Sequence, residues 1–389
     1  MTRPVVVPHP LRQRPHIRGL PIAALLAALS VCAVDTIILG QRGPWSTLEK
    51  LMPPAASLEL GITKDRQELR RLNDAAPSQK RVLVVGSSRA NAGFQPDLLD
   101  SEIRRRAQFG KVAHAYIAPF EISSLVDEAI AAGTDVVVIV LSEFDVNRPV
   151  FIVAPASFGS FTAVWDLARL AGPAFANENR GLLFQLSAVC TLNGYRYRHV
   201  LQRAFADEWL GFELVKRFPR TAAAPRPDQV EGGVPTPLTQ QERKAIFARL
   251  DEVFPGAPRW SFHQVRSITR GPHSDLQRAL IRRTVTRLRA AGVATVIVEA
   301  PIHPLAVALY DTSIRSDFLA FVAQLMSQFG VGFVSLENSG PYAPGDFRDL
   351  THLGSGAAKL TRAIEISVAK VLRVRVDERL AKDRRADKT

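Results

Sequence analysis

Cysteine is nearly absent: Cys32 and Cys190 are the two in 389 residues. Cys32 lies in an apolar N-terminal stretch, so the chain beyond that stretch holds one thiol and no internal disulfide. That leaves the redox compartment open. No His/Cys/Asp cluster stands at metal-ligand spacing, which argues against a metal centre, and nothing in the pattern asks for a cofactor. No internal repeat is visible, and no small-x-small cleavage site with a polar mature start follows the N-terminal stretch. Acidic residues are in deficit, 37 against 50 Lys and Arg, for a net charge of +13.

Hydrophobic residues make up 47% of the chain, ample for one large domain or two small ones with a core. The run from Gly19 to Gly40 is almost purely apolar, interrupted near its end by Asp35. Its length matches the ~20 residues a helix needs to cross a bilayer. Arg3, Arg12, Arg14 and Arg18 precede it. The positive-inside rule then makes residues 1–18 a cytoplasmic leader and 19–40 a transmembrane anchor of the inner (cytoplasmic) membrane, with everything after 41 outside, in the periplasm. A cleaved signal peptide is the competing reading, but the apolar run is long for one. Leu29-Ser30-Val31-Cys32 resembles a lipoprotein box only in part, because Val31 sits where a small residue belongs. The excess positive charge lies partly in the leader and partly in a mixed-charge tail, 373–389. Nucleic acid is a poor partner for an exported domain, whereas anionic lipid or glycan fits better and a plain solvated surface fits best.

Residues 41–80 read as a charged helical stalk broken at Ala75-Ala76-Pro77-Ser78. From Arg81 the chain alternates. Strands are expected at Arg81–Val85, Val112–Ile117, Asp135–Leu141, Val293–Val298 and Val331–Leu336, from short, continuous, β-branched runs. Helices are expected at Pro96–Arg106, Ile122–Ala132, Asp275–Ala290, Ser316–Phe329 and Gly356–Leu372. Alternation of this kind predicts parallel βαβ units over 81–372. Residues 149–272 interrupt it with aromatic-rich helical pieces, a Pro- and Gly-rich loop, and a capping box at Thr239 and Glu242. This insertion is read as a lid or partner surface over the active face, or equally as a packing subdomain.

Two segments carry chemistry. Val82-Leu83-Val84-Val85-Gly86-Ser87-Ser88-Arg89 is an apolar strand that stops at a Gly-Ser-Ser turn. Open parallel sheets place their ligand sites at such strand ends. Gly86 permits a tight turn, and the helix that follows aims N–H groups at the same spot, where they can hold an oxyanion. A serine serving only as turn former or N-cap is the alternative. Asp349-Leu350-Thr351-His352 is the other segment. In a loop entering a helix, its spacing lets His352 take the Ser88 proton while Asp349 holds the ring tautomer. A capping pair would show the same spacing. His303, between Pro301 and Pro304 at a strand end, is either a substrate contact or a turn residue.

Together the two segments resemble the SGNH/GDSL hydrolase superfamily, over about residues 80–370. There the nucleophile is the Ser of a Gly-Asp-Ser block by the first strand, and an Asp-x-x-His block near the end supplies the rest. Gly86-Ser87-Ser88 and Asp349-Leu350-Thr351-His352 occupy those places. The resemblance implies a three-layer, flavodoxin-like α/β fold with a Ser88–His352–Asp349 triad. The Gly-Ser-Ser form and the single anchor are most similar to membrane-anchored members, DltD-like proteins and the O-acyltransferases of exopolysaccharide modification. Such members imply an envelope polysaccharide as acceptor and a membrane acyl-donor protein as partner. Two features depart from the family. Ser142-Glu143-Phe144-Asp145-Val146-Asn147 stands where a Gly-x-Asn-Asp block belongs, so the oxyanion Asn is missing and Asn147 is out of register. The second-strand Gly is also missing near Tyr116-Ile117-Ala118-Pro119. Loss of one oxyanion donor costs about 2.7–4 kcal/mol of transition-state stabilisation. Arg89 or Asn91 is then the expected substitute, and slow turnover suits a transferase better than a broad esterase. An esterase, or a scaffold that has lost activity, are the other expectations.

Overall fold

In the computed structural model, the described residues are 68–69, 71–114, 117–147, 160–191, 271–307, 311–335 and 342–373, with isolated positions at 30, 239, 241, 245, 248 and 252. The leader, nearly all of the expected anchor, most of the stalk, the bulk of the insertion and the tail after Arg373 lie outside the described residues. Among the described residues, no helix is long and apolar enough to cross a membrane.

Five strands form one all-parallel sheet: β1 (Lys80–Gly86), β2 (Ala107–Ala113), β3 (Val136–Leu141), β4 (Ala294–Glu299) and β5 (Gly332–Val334). Their spatial order is β2-β1-β3-β4-β5. Successive side chains of a strand point to opposite faces, and both faces here are covered. Val82, Val84, Val138, Val140, Val296 and Val298 belong to one core, and Leu83, Val85, Val137, Ile139 and Ile297 to the other. This explains why the central strands are continuous apolar runs rather than alternating ones. Each such side chain taken fully out of water contributes about 1.5–3 kcal/mol.

The first face is covered by α1 (Ser88–Gly93), α2 (Ser101–Arg106) and, at the far end of the chain, α10 (Ala357–Val371), through Ala90, Phe94, Ile103, Leu360, Ile364 and Val368. The second is covered by α3 (Pro119–Ala131), α7 (Pro272–Ala290) and α9 (Thr312–Phe329), through Leu125, Ile281, Val285, Leu288, Phe318 and Phe321. The result is an α/β protein of three layers. A crossover from β1 to β2 uses the first face and one from β2 to β3 uses the second, so the winding reverses between β1 and β3. That crevice, at the carboxyl ends of the strands, is where open α/β sheets bind ligands.

Further helices are α4 (Glu143–Asn147), directly after β3, and α5 (Phe161–Glu178) and α6 (Arg180–Thr191), which lie in the insertion. The short α8 (Pro304–Val307) follows β4. α5 breaks at Gly172, whose φ of 81° is left-handed, and Pro173 follows the break. Helices α5 and α6 pack on Phe120 of α3 and Leu280 of α7 through a small core of their own, with Ala163, Val164, Leu167 and Leu186. Positions 241, 245, 248 and 252 are helical, within the stretch where the capping box predicts a helix.

Two expectations shift. The second strand is Ala107–Ala113, not Val112–Ile117. It is an edge strand, paired only with β1, and it carries Gln108, Gly110 and Lys111, so it lacks the apolar continuity that marks β3. Leu72 packs over Gly110, where a Cβ would lie 2.9 Å from Leu72 Cδ1. The helix expected over Pro96–Arg106 is split into a single 3₁₀ turn, Pro96–Leu98, and α2. Asp100 makes the break by capping α2, accepting from the Glu102 N–H at 2.7 Å.

Candidate active site

The nucleophile half is built on β1. Gly86 ends the strand, Ser87 is extended, and Ser88 opens α1. Backbone passes so close here that a Cβ on Gly86 would sit 2.7 Å from Ala90 Cβ and 2.8 Å from the Val140 carbonyl oxygen. Only glycine allows the turn. Ser87 is buried while Ser88 is partly exposed, so of the two hydroxyls Ser88 is the one a substrate can reach.

The base half is a loop, residues 347–353, that folds back on itself. Phe347 and Leu353 form an antiparallel bridge, and the Arg348 N–H donates to the His352 carbonyl at 3.0 Å. Asp346 anchors its base. The Asp346 carbonyl accepts from the N–H groups of Gly354 (2.8 Å) and Gly356 (3.1 Å), and its carboxylate accepts from Lys359 Nζ (2.7 Å) and the Ala343 N–H (2.7 Å).

Between these halves, His352 Nε2 lies 2.8 Å from Ser88 Oγ, and His352 Nδ1 lies 2.9 and 2.8 Å from the two oxygens of Asp349. A carboxylate can only accept, so the ring proton belongs on Nδ1 and Nε2 is left to accept from the serine. Asp349 is itself fixed: Oδ1 accepts from the N–H groups of Thr351 (2.8 Å) and His352 (2.9 Å) and from Thr351 Oγ1 (3.2 Å). Burial pushes the Asp349 carboxyl up, but the hydrogen bonds from His352 and Thr351 and the nearby imidazole outweigh it, so the group is held below the ordinary carboxylate range. It stays ionised at neutral pH.

The other sequence-selected residues take different places. Arg89 is buried, and its guanidinium is engaged by Asp145 (Nη2 to Oδ1, 2.6 Å) over the ring of Phe144. Asn91 is exposed, one turn along α1. The amide nitrogen of buried Asn147 donates to the Glu143 carbonyl at 2.8 Å, its amide oxygen accepts from Arg278 at 3.4 Å, and its backbone carbonyl lies 3.1 Å from His273 Nε2. His303 is 1% exposed and stacks edge-on to Phe347, with ring centroids 5.2 Å apart. Its N–H donates to the Leu350 carbonyl (3.1 Å) and its Nδ1 accepts from the Leu305 N–H (3.1 Å), so it braces the loop that carries Asp349. Burial pushes the His303 imidazole down, against a smaller upward pull from Asp349. Sequence reading passed over Asp145 and Thr351. Thr351 stood inside the quoted motif, but Asp145 is marked as a partner of Arg89 only by the fold.

Among the described residues, no group of three or more His, Cys, Asp or Glu side chains is placed to hold a metal ion. The arrangement as it stands can deprotonate a serine and use it as a nucleophile. Compared with known proteins, the chain matches no protein-family model and no curated protein.

Proposed function

We propose that this protein is a cell-envelope O-acyltransferase of SGNH type, anchored in the cytoplasmic membrane by residues 19–40 and acting on an envelope polysaccharide. The observation that carries the reading is the continuous line from Asp349 through His352 to Ser88, with contacts of 2.8–2.9 Å at both ends of one imidazole. Side chains of a mere scaffold have no reason to align in this way. Ser88 Oγ attacks the carbonyl of an acyl donor, supplied by a membrane partner, while His352 Nε2 takes the hydroxyl proton. The Ser88 amide is the expected donor to the developing oxyanion. Collapse expels the donor's leaving group, which takes the proton from His352, and the acyl group stays on Ser88 as an ester. A glycan hydroxyl then gives its proton to His352, attacks the ester and leaves acylated, restoring Ser88. Hydrolysis differs only in that water replaces the glycan hydroxyl.

The test is intact-mass analysis of the full chain in detergent after exposure to a fluorophosphonate. The Ser88 Oγ–P bond forms, fluoride departs, and the serine proton passes through His352 to solvent. A single adduct on wild type, absent from Ser88→Ala and His352→Ala, is expected. A folded wild type that takes no adduct overturns the enzyme reading. With the nucleophile established, acetyl-loaded protein offered a polysaccharide separates the two outcomes: label on the glycan supports transfer, and free acetate alone assigns the protein to the esterases.

A further inference from the structure

The ion pair between Arg89 and Asp145 sits where stability alone gives it little reason to be. Both side chains are nearly out of water, 8% and 1% exposed. Burying two charges is costly, and apolar replacements of similar volume are often neutral or stabilising. Yet Asp145 is fully engaged, although Arg89 Nε is buried without a hydrogen-bond partner. Asp145 Oδ1 takes Arg89, Oδ2 takes the N–H (2.9 Å) and hydroxyl (3.2 Å) of Ser142, and the guanidinium carbon rests 4.9 Å from the centre of the Phe144 ring.

Its position supplies the reason. Arg89 is the residue after Ser88, and Asp145 lies just past the end of β3, so the pair spans the crevice where the winding of the sheet reverses. The helix it holds, α1, has six residues, far too few to be stable by itself. The far end of α1 is tied down by Thr361 Oγ1, which donates to the Gly93 carbonyl, and by Lys111 Nζ, which reaches the carbonyls of Asn91 and Phe94. The near end carries the nucleophile and no side-chain cap, since Ser87 makes no capping hydrogen bond. What grips that end is Arg89.

We propose that Arg89 and Asp145 are a positioning pair: they clamp the first turn of α1 to the end of β3 and so hold Ser88 Oγ in line with His352 Nε2. The inference rests on Ser88 as the nucleophile. The pair acts through Ser88, so its loss slows the serine without changing the pH dependence of its labelling. A displacement of 1 Å at a reacting atom costs about 100-fold in rate.

The experiment measures the rate of fluorophosphonate labelling of the full chain against pH, alongside the melting temperature. The double variant Arg89→Met/Asp145→Asn removes both charges at similar volume, and the amide oxygen at position 145 can still accept from Ser142. It is expected to melt no lower than wild type, to label about 100-fold more slowly, and to keep the wild-type pH midpoint. Arg89→Lys keeps a charge for Asp145 but lacks the planar fork, and is expected to recover about tenfold of that loss. A folded double variant that labels at the wild-type rate overturns the proposal, as does a slowed one whose pH midpoint has moved. Should the double variant not fold, Arg89→Lys decides: slower labelling at an unchanged midpoint supports the clamp, and a wild-type rate sinks it. A wild type that takes no label at all overturns the Ser88 reading instead, and the clamp with it.

Discussion

Ser88 stands at the end of a strand hydrogen-bonded on both sides, whereas Asp349 and His352 stand in a loop that belongs to no strand of the sheet. The serine inherits its position from β1, from the close pass of Gly86 against Val140 and from the buried pair at Arg89. The histidine and aspartate inherit theirs from local hydrogen bonds: Asp346 gathers the loop, His303 braces it, and Asp349 accepts from its own neighbours. Both halves reach the same core, the loop through Phe347, Leu350 and Leu353. The loop, however, lacks strand partners beyond one bridge, so it is the half expected to open first.

The largest blow to the loop half, with the other left intact, is Asp349→Asn. The amide oxygen still accepts from Thr351 and His352 N–H, so the loop keeps its shape, while an NH2 in place of Oδ2 donates to Nδ1 and favours the wrong ring tautomer. Fluorophosphonate labelling should fall on the order of 10⁴-fold with the melting temperature nearly unchanged. A drop below tenfold would mean that His352 finds its tautomer without the carboxylate.

Glycine substitutions compare the halves directly. Gly86→Ala forces a Cβ to within 2.8 Å of the Val140 carbonyl oxygen, and Gly356→Ala forces one to within 2.7 Å of Asp346 Cβ. Both overpack, at about 1–3 kcal/mol each. The cost at Gly86 falls on the sheet and should lower the melting temperature of the whole domain. The cost at Gly356 falls on the loop, and should appear in hydrogen exchange of residues 347–353 and in labelling rate before it appears in global melting. Equal effects on both readouts would erase the distinction.

The smallest effect is a dependence on acid. His303 is buried neutral, below the ordinary value of 6.5. The unfolded chain then binds a proton that the folded one refuses, so this group's stability is intact above 6.5 and drains away as pH falls below it toward the depressed folded value. His303→Asn can still accept at the same place but does not titrate. It should flatten the fall in melting temperature between pH 6.5 and 5; an unchanged slope would place the acid sensitivity elsewhere.

How far the sequence reveals this arrangement follows the same division. β1, β3 and β4 are legible because both their faces are buried and their central residues are apolar or β-branched. The edge strands are less so: β2 hides behind Gln108, Gly110 and Lys111, and β5, Gly332–Val334, falls within the expected Val331–Leu336 but is shorter. At the site, Ser88, Asp349 and His352 are legible because their spacing is local and the chemistry needs those residue types. The partner of Arg89 is not, because it lies 56 residues away and is defined by the neighbourhood of β1 and β3. His303 was read as a substrate contact or a turn residue, and its actual work, bracing a loop some fifty positions later, is equally a product of folding.

The contact between His273 Nε2 and the Asn147 carbonyl, 3.1 Å, has a consequence for chain topology. It pins together the two points where the polypeptide leaves the sheet layers after β3 and rejoins them at α7. The block is tied to the frame a second time, where α5 and α6 pack on Phe120 and Leu280. Because closing a longer loop costs only about 0.6 kcal/mol per doubling of its length, added chain between these ties costs the frame little. Asn147 and His273 thus act as a clasp that holds exit and re-entry together while Ser88 and His352 stay where they are.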